Sequence, residues 1–279
     1  MTLILADLIE KAYRHDGVVI ALIYGDMGCG KTSYALWTAY EVLGSWRKAL
    51  DSLFFHPGDA MKAMERAIQK GRRLPIIILD DAGLWLERET WWEEHKIRFA
   101  ELFNVIRSIC AGVIFTSPSE ELPKQIINKI QLRVKALPAS EEDPQDLVEN
   151  VRGMAAKFGL KPLVNKALGY RRVLLPSFFG FVRQEYRDYY PLQYPVYKEY
   201  CAKRDRAVKY FFEKWKASLG EEGLTRRERK AEGLEFVRQL LHEGKPRSEI
   251  IREARRRFQV SAMTVYRWLK ELEKREVTA

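Results

Sequence analysis

The stretch Gly25-Asp26-Met27-Gly28-Cys29-Gly30-Lys31-Thr32 decides the fold of this chain. It matches the phosphate-loop pattern G-x-x-x-x-G-K-[ST] without a departure. A continuous apolar run before it, residues 18–23, predicts a buried strand, and residues 31–43 predict a helix. In that context the glycines let backbone N–H groups surround a phosphate, and the helix N-terminus adds a field that favours anions. These eight residues together with Ser33 are therefore the predicted nucleotide-binding residues.

Two side chains of this loop have predicted roles with ATP and its metal ion. Lys31 is expected to reach the β- and γ-phosphates, and Thr32 to hold Mg²⁺ through its hydroxyl. Cys29 also lies in the loop, and a thiol near a helix N-terminus can have a lowered pKa and be oxidisable. We interpret Cys29 instead as a tolerated small residue.

An acidic pair follows a second apolar strand, which is predicted at residues 76–79. Asp80 and Asp81 match the Walker B pattern, in which Asp80 binds Mg²⁺ and Asp81 is the candidate base or water-orienting residue. Many ATPases of this type have Glu at the second position. Because Asp is shorter, hydrolysis is expected to be slow or to need a partner. The alternative interpretation of the pair is a helix cap.

Further strands are expected before and after the Walker B strand. Residues 52–56 predict a strand followed by a helix, and residues 112–116 predict a strand that ends in Thr116. Thr116 is expected to sit beside the γ-phosphate as a sensor, the alternative being strand-end capping. The predicted catalytic set is Lys31, Asp81 and Thr116. An arginine of a neighbouring subunit often completes such sites, so a homo-oligomer is expected, and the candidates by position are Arg107, Lys129 and Arg133.

The remaining elements complete an α/β domain with a mostly parallel sheet. Helices are predicted at residues 2–14, 57–70, 93–108, 123–130 and 197–218, and a final strand at 131–136. Less regular structure is predicted as a loop at 139–149, an extended pair at 170–175 and 178–185, and a linker at 220–223. The aromatic cluster of Trp85, Trp91 and Trp92 is interpreted as core or interface packing.

The net positive charge of the chain comes from its second half. The total is +10, of which residues 1–150 carry −4, residues 151–219 carry +10 and residues 220–279 carry +4. A polyanionic partner is the natural inference and nucleic acid the commonest one, although a solvated basic surface is the alternative. Three scattered cysteines exclude a disulfide framework and a zinc finger and suit a reducing cytoplasm. No run reaches the ~18 apolar residues of a membrane helix, so no membrane partner is expected.

Residues 226–275 predict three short helices with a tight turn before the last, the arrangement of a helix-turn-helix. Ser261 is the expected N-cap of the third helix, whose outer residues would enter the major groove of double-stranded DNA. The predicted DNA contacts are Arg255, Arg256, Ser261, Met263, Thr264, Tyr266, Arg267 and Lys270. A small helical protein-interaction module is the alternative.

Three parts are expected along the chain. They are a P-loop ATPase core at residues 1–138, a basic and aromatic-rich extension of that core at 139–219, and a helix-turn-helix domain at 220–279. Aromatic residues among basic ones can stack the bases of a single strand, but more often they form the core of a subdomain. Both interpretations of the extension stay open.

The segments around the Walker B acids carry a family resemblance. Residues 77–83, 104–108 and 113–119 resemble the ATPases of archaeal fuselloviruses and plasmids, often described as DnaA-like or AAA-type. The strand layout resembles the additional-strand class of P-loop ATPases, which includes the AAA+, RecA-like and FtsK/HerA-like groups. The resemblance covers about residues 17–137, and residues 189–200 are also similar to Zot-type phage ATPases, whose membrane segment is not found in this sequence.

This resemblance implies ATP-driven handling of mobile-element DNA, in replication initiation, partition or packaging. A DNA-binding transcriptional regulator that uses ATP as a switch, with little turnover, is the alternative.

Overall fold

A computed structural model describes residues 2–82, 101–175, 180–221, 226–258 and 260–277. The chain divides into two compact units, Met1–Ala207 and Val208–Ala279, which are described separately. Gly83, the three tryptophans at positions 85, 91 and 92, and residues 93–100 of the predicted helix lie outside the described residues. Within the described residues, no helix is both long and apolar enough to cross a membrane.

The first unit is a mixed α/β structure around a mostly parallel seven-stranded sheet. Its elements up to the fourth strand are α1 (Ile4–Arg14), β1 (Val19–Tyr24), α2 (Lys31–Leu43), α3 (Trp46–Asp51), β2 (Leu53–Phe54), α4 (Pro57–Gln69), β3 (Leu74–Leu79), α5 (Ile106–Ile109) and β4 (Cys110–Ser117). They are followed by α6 (Lys124–Ile127), β5 (Leu132–Pro138), α7 (Gln145–Lys157), β6 (Val164–Leu175), β7 (Gly180–Pro191) and the start of α8 (Tyr197–Glu221).

The strand order is β2-β3-β4-β1-β5-β6-β7, so β4 lies between the strand before the phosphate loop and the strand before the acidic pair. The pairing is parallel from β2 through β5, with Ile23 beside Thr116 and Leu79 beside Phe115. All eight residues of β4 are buried, as expected of a central strand covered on both faces. Parallel strands end at one edge of a sheet, and this register therefore brings the phosphate loop, Asp80 and Thr116 together.

The predicted final strand at residues 131–136 is not the last strand of the sheet. β6 pairs antiparallel with β5 along seven residues, and β7 pairs antiparallel with β6 along twelve. The predicted extended pair is therefore longer than expected and belongs to the same sheet. Polar residues such as Asn165 and Asp188 interrupt the apolar pattern of these strands, and this concealed them in the sequence. Both of these residues are buried and hydrogen-bonded.

Two other predictions of local structure were wrong in part. The predicted loop at 139–149 ends early, because α7 begins at Gln145 and buries Val148, Val151 and Ala155 at helical spacing. The predicted helix at 93–108 is not continuous within the described residues: a turn at 103–105 precedes α5, which leads directly into β4.

Two apolar clusters cover the two faces of the sheet. One contains α1 and α2 side chains such as Ile9 and Trp37, and the other contains side chains from α4 and β4 such as Met64 and Phe115. Four tyrosines of the predicted aromatic extension are buried. Tyr190, Tyr194 and Tyr200 belong to the first of these clusters, and Tyr189 packs with Val148 and Val151 of α7 in a separate small cluster.

Besides the C-terminal part of α8, the second unit has three helices among the described residues: α9 (Arg226–His242), α10 (Arg247–Phe258) and α11 (Ala262–Val277). Their shared core is built from Val237, Ile250, Ala254, Val265 and Trp268. Trp268 packs on the backbone of α9 at Gly233, where an added Cβ would lie 2.4 Å from the indole ring. Gly220, the first residue of the predicted linker, is still helical at the end of α8, and residues 222–223 lie outside the described residues.

Candidate nucleotide site

The phosphate loop runs from the end of β1 to the start of α2, and its glycines have backbone angles that other residues rarely adopt. Gly25, Gly28 and Gly30 have φ values of 142°, 80° and 83°. Space is restricted as well, because a Cβ at Gly25 would lie 2.7 Å from the carbonyl oxygen of Ala136. At Gly30, which precedes α2, a Cβ would lie 2.9 Å from the side-chain amide of Asn165. The local fold therefore requires glycine at both positions.

Residues of β6 and β7 hold this loop by hydrogen bonds to its backbone. The Asn165 amide donates to the carbonyl oxygen of Cys29 at 2.7 Å, and the Tyr190 hydroxyl donates to that of Gly30 at 3.2 Å. Just after β7, the carbonyl oxygen of Leu192 accepts from the Ser33 hydroxyl at 2.6 Å. The extension is thus part of the structure that shapes the loop.

Lys31 is nearly buried and lies across the loop. Its ammonium group donates to the carbonyl oxygens of Gly25 and Asp26, both at 2.7 Å. Cys29, which follows the exposed Met27 and Gly28, is buried, and burial raises the pKa of its thiol. A raised pKa does not fit an activated thiol, so the structure agrees with a tolerated small residue at this position.

A hydroxyl–carboxylate network joins the loop to the ends of β3 and β4. The Thr32 hydroxyl donates to Asp80 Oδ1 at 2.9 Å, and the Thr116 hydroxyl donates to the same oxygen at 2.7 Å. The backbone N–H of Asp81 donates to Thr116 at 2.9 Å. Through these two hydrogen bonds the fully buried Thr116 links the two acidic residues. Its expected contact with a γ-phosphate stays a prediction.

Asp80 is fully buried, and burial raises its pKa, with the adjacent carboxylate of Asp81 acting in the same direction. Hydrogen bonds from Thr116, Tyr200 and Thr32 oppose this rise by stabilising the ionised form. The carboxylate of Asp80 and the hydroxyl of Thr32 are hard oxygen donors at adjacent positions. This pair therefore fits Mg²⁺, which prefers oxygen ligands and usually takes one or two from protein.

Asp81 has an unusual backbone and a charged partner. Its φ of 51° places it in the left-handed region, at a cost of about 1–2 kcal/mol for a residue with a Cβ. Its carboxylate is partly exposed and lies 3.6 Å from the Arg204 guanidinium. The strained turn directs Asp81 away from the buried Asp80 network and toward α8.

Helix α8 brings two side chains to the acidic pair, one turn apart. The Tyr200 hydroxyl donates to Asp80 Oδ2 at 2.9 Å, and Arg204 pairs with Asp81. Burial, followed by the nearby Asp80 carboxylate, raises the pKa of Tyr200, so its hydroxyl keeps the proton that it donates.

Sequence reasoning missed Tyr200, Arg204, Asn165 and Tyr190, whose partners lie far away along the chain. The one available signal was the four-residue spacing of Tyr200 and Arg204 on a helix.

A cavity of about 580 Å³ opens over these elements. Its walls are formed by the phosphate loop with Lys31 and Thr32, by Asp81, by the segment after β7, and by the α8 residues Tyr197, Tyr200 and Arg204. Its size suits a small-molecule ligand.

The arginine and lysine candidates for a trans role lie outside the cavity wall. Arg107 is on α5, Lys129 donates to Asn104 at 2.8 Å, and Arg133 lies 3.9 Å from Glu120.

In the second unit, the predicted DNA-contact residues lie on α10, on α11 and in the turn between them. Ser261 caps α11, since its hydroxyl accepts from the backbone N–H of Thr264 at 3.2 Å. The exposed side chains are Arg255, Arg256, Met263, Tyr266, Arg267 and Lys270, whereas Val265, Trp268 and Leu269 face the core. The described residues contain no group of three or more His, Cys, Asp or Glu side chains that could hold a metal ion.

Comparison with known proteins gives two viral relatives. The chain is 47% identical over 119 residues to the uncharacterized protein B-251 of Sulfolobus spindle-shape virus 1, which covers 40% of this chain and 47% of that protein. It is 29% identical over 156 residues to the uncharacterized protein ORF286 of Acidianus two-tailed virus, covering 51% and 54% respectively. The chain thus spans about half the length of the curated relatives it matches.

No family model matches the chain. Among solved structures, PCH-2 of C. elegans is similar at a TM-score of 0.34 and 15% identity, over 56% of this chain and 45% of that one. A KaiC-like protein of Pyrococcus horikoshii is similar at a TM-score of 0.26 and 11% identity, over 60% of this chain and 91% of that one. The sequence relatives of this chain thus include proteins of two archaeal viruses.

Proposed function

We propose that the protein is a Mg²⁺-dependent ATPase of the additional-strand class of P-loop proteins. The observation that carries this proposal is the convergence of Lys31, Thr32 and the Asp80–Thr116 pair at the adjoining ends of β1, β3 and β4, beside a cavity of nucleotide size. The insertion of β4 between β1 and β3 is the sheet order that defines the class.

In the proposed reaction, the loop N–H groups, the N-terminus of α2 and Lys31 bind the phosphates of ATP. Thr32 and Asp80 hold the metal, which supplies charge neutralisation at the phosphate oxygens. Asp81 orients or deprotonates the attacking water. Thr116 positions both acidic residues, since it contacts the side chain of Asp80 and the backbone of Asp81.

We propose further that α9–α11 form a helix-turn-helix that binds double-stranded DNA, with α11 as the recognition helix. The support is the exposed set of Tyr266, Arg267 and Lys270 on α11 and of Arg255 and Arg256 on α10, in a half of the chain that is strongly basic. The domain bounds of 1–138, 139–219 and 220–279 belong to this proposal, with the middle part serving as the wall of the ATP site.

The viral relatives favour a role in the handling of mobile-element DNA, during replication initiation, partition or packaging. A homo-oligomer would allow an arginine of one subunit to complete the site of another. The three free cysteines suit a reducing cytoplasm.

The direct test is ATP hydrolysis with and without duplex DNA at fixed salt, with Lys31→Ala as the blank. Turnover that Lys31→Ala abolishes and DNA stimulates supports both parts of the proposal. Turnover that DNA leaves unchanged argues against coupling. Absence of both ATP binding and turnover in the unmodified protein would contradict the ATPase assignment.

A second candidate function is a DNA-binding regulator that uses ATP as a switch with little turnover. The observation that favours it is Asp81, which is shorter than the usual Glu and paired with Arg204 at 3.6 Å. Asp81→Asn separates the two functions, because it removes the charge and keeps the shape. An unchanged basal rate of phosphate release excludes a catalytic Asp81 and favours the switch, and a loss of ~100-fold or more supports catalysis.

A further inference from the structure

Tyr200 lies where it controls access to the metal-binding carboxylate. Asp80 is fully buried and is not part of the cavity wall, whereas Tyr200, Thr32 and Asp81 all line the cavity. The Tyr200 hydroxyl covers Oδ2 of Asp80 from the cavity side at 2.9 Å. A metal ion that enters with the nucleotide therefore meets Tyr200 before it meets this oxygen.

The two other hydroxyls on Asp80 differ from Tyr200 in their compatibility with a metal. Thr116 is buried and contacts Oδ1 from the β4 side. Thr32 donates its proton to Asp80 and keeps its lone pairs, so it can bind a metal while this hydrogen bond persists. Tyr200 instead donates from α8, outside the loop, to Oδ2, which the Thr32 hydroxyl also approaches at 3.3 Å. Since Mg²⁺ requires near-octahedral geometry at short distances, the tyrosine is the contact that must give way.

We propose that Tyr200 competes with the metal ion for the Asp80 carboxylate and thereby sets the metal affinity of the site, an inference that rests on the proposed ATPase function. Metal binding at Asp80 would require the Tyr200 hydroxyl to leave Oδ2, and the contact between α8 and the end of β3 would be lost with it. Arg204, one turn further along α8, pairs with Asp81, so the two contacts that α8 makes with the acidic pair both lie at the place where the metal and the γ-phosphate arrive.

The test is Mn²⁺ binding in the presence of a non-hydrolysable ATP analogue, and the electron paramagnetic resonance signal of free Mn²⁺ measures it. Tyr200→Phe removes the hydroxyl and keeps the ring, which packs on Phe55 and Tyr194. Because a hydrogen bond to a charged group is lost only from the metal-free state, we expect the variant to bind Mn²⁺ about 5- to 10-fold more tightly. Equal or weaker binding overturns the proposal, since it means that Tyr200 supports Asp80 in the metal-bound state.

The matched control is Tyr189→Phe. It removes a tyrosine hydroxyl from another buried aspartate, Asp143, at 2.9 Å, away from the cavity wall. We expect its Mn²⁺ affinity to be unchanged, and a change as large as that of Tyr200→Phe would assign the effect to general destabilisation.

A second measurement uses the unmodified protein, so it does not depend on the folding of a variant. Amide hydrogen exchange is compared with the analogue plus Mg²⁺ and with the analogue plus a chelator. Faster exchange at residues 197–204 with Mg²⁺ supports release, and slower or equal exchange contradicts it. Failure of the unmodified protein to bind the analogue at all counts against the proposed ATPase function instead.

Discussion

The side-chain amide of Asn165 donates to the carbonyl oxygen of Cys29 at 2.7 Å, across 136 positions of sequence. This contact makes the sixth strand of the sheet a support of the phosphate loop. The same amide lies 2.9 Å from the position that a Cβ on Gly30 would occupy. The conformation of the loop therefore depends on β6 as well as on its own glycines.

Asn165→Ala is expected to weaken ATP binding about 5- to 10-fold, because it leaves the buried carbonyl of Cys29 without this donor at a cost of about 1–2 kcal/mol. Titration with a fluorescent ATP analogue measures the change. Gln184→Ala is the control, since Gln184 is exposed on β7 and its amide oxygen accepts from Arg171 of β6. Equal affinities of the two variants would show that the loop does not need the β6 contact.

Thr116→Val is expected to lower kcat about 10- to 100-fold with little change in ATP affinity. The substitution keeps the shape of the side chain but removes a hydrogen bond to Asp80 and leaves the Asp81 N–H without its acceptor. Steady-state hydrolysis separates kcat from KM. Ser117→Ala, at the next buried position of β4, is the control. A rise in KM with unchanged kcat would instead assign Thr116 to nucleotide binding.

The sequence sufficed for the parts of the site that lie on consecutive elements. The loop, α2 and the Walker B strand could be predicted because local spacing encodes them, and α2 has the predicted bounds of Lys31–Leu43. The contributions of Asn165, Tyr190 and Tyr200 could not, since each acts on a partner at least 120 positions away. Their residue types carry no special meaning until β6, β7 and α8 are placed against the loop.

Arg204→Ala is expected to reduce affinity for ATP about tenfold and affinity for ADP less than twofold. The guanidinium lines the cavity beside Asp81, half exposed, where a γ-phosphate would offer it a stronger charge-assisted contact. Binding of both nucleotides is measured by calorimetry. Arg206→Ala is the matched control because its guanidinium donates to Ala202 on its own helix. Equal losses for ATP and ADP would exclude a contact with the terminal phosphate.

Glu41→Gln is expected to stabilise the protein at pH 8 and to have no effect near pH 4.5. Burial, and then the nearby acidic Asp188, raises the pKa of Glu41 from 4.5 to about 7. The folded chain thus binds this proton more tightly than the unfolded chain, so stability falls as pH rises from about 4.5 to 7. Glutamine removes this loss and still accepts from the Leu3 N–H, which Glu41 binds at 2.6 Å. Melting temperatures across this pH range measure the effect, and a constant difference between the two proteins would contradict it.

Arg267→Ala and Arg256→Ala are expected to affect DNA binding in different ways. Arg267 is exposed on α11, and in a recognition helix its loss costs about 1–3 kcal/mol and relaxes sequence preference. Arg256 is exposed on α10. As a phosphate contact, its loss weakens binding to all sequences and lowers the steepness of the plot of log affinity against log salt concentration by about one. Fluorescence anisotropy at several salt concentrations distinguishes these outcomes. Arg238→Ala on α9 removes the same charge from a surface residue that pairs with Glu235, and it is the control. If all three variants lose affinity equally, the basic charge of the module acts as a whole and α11 does not read the groove.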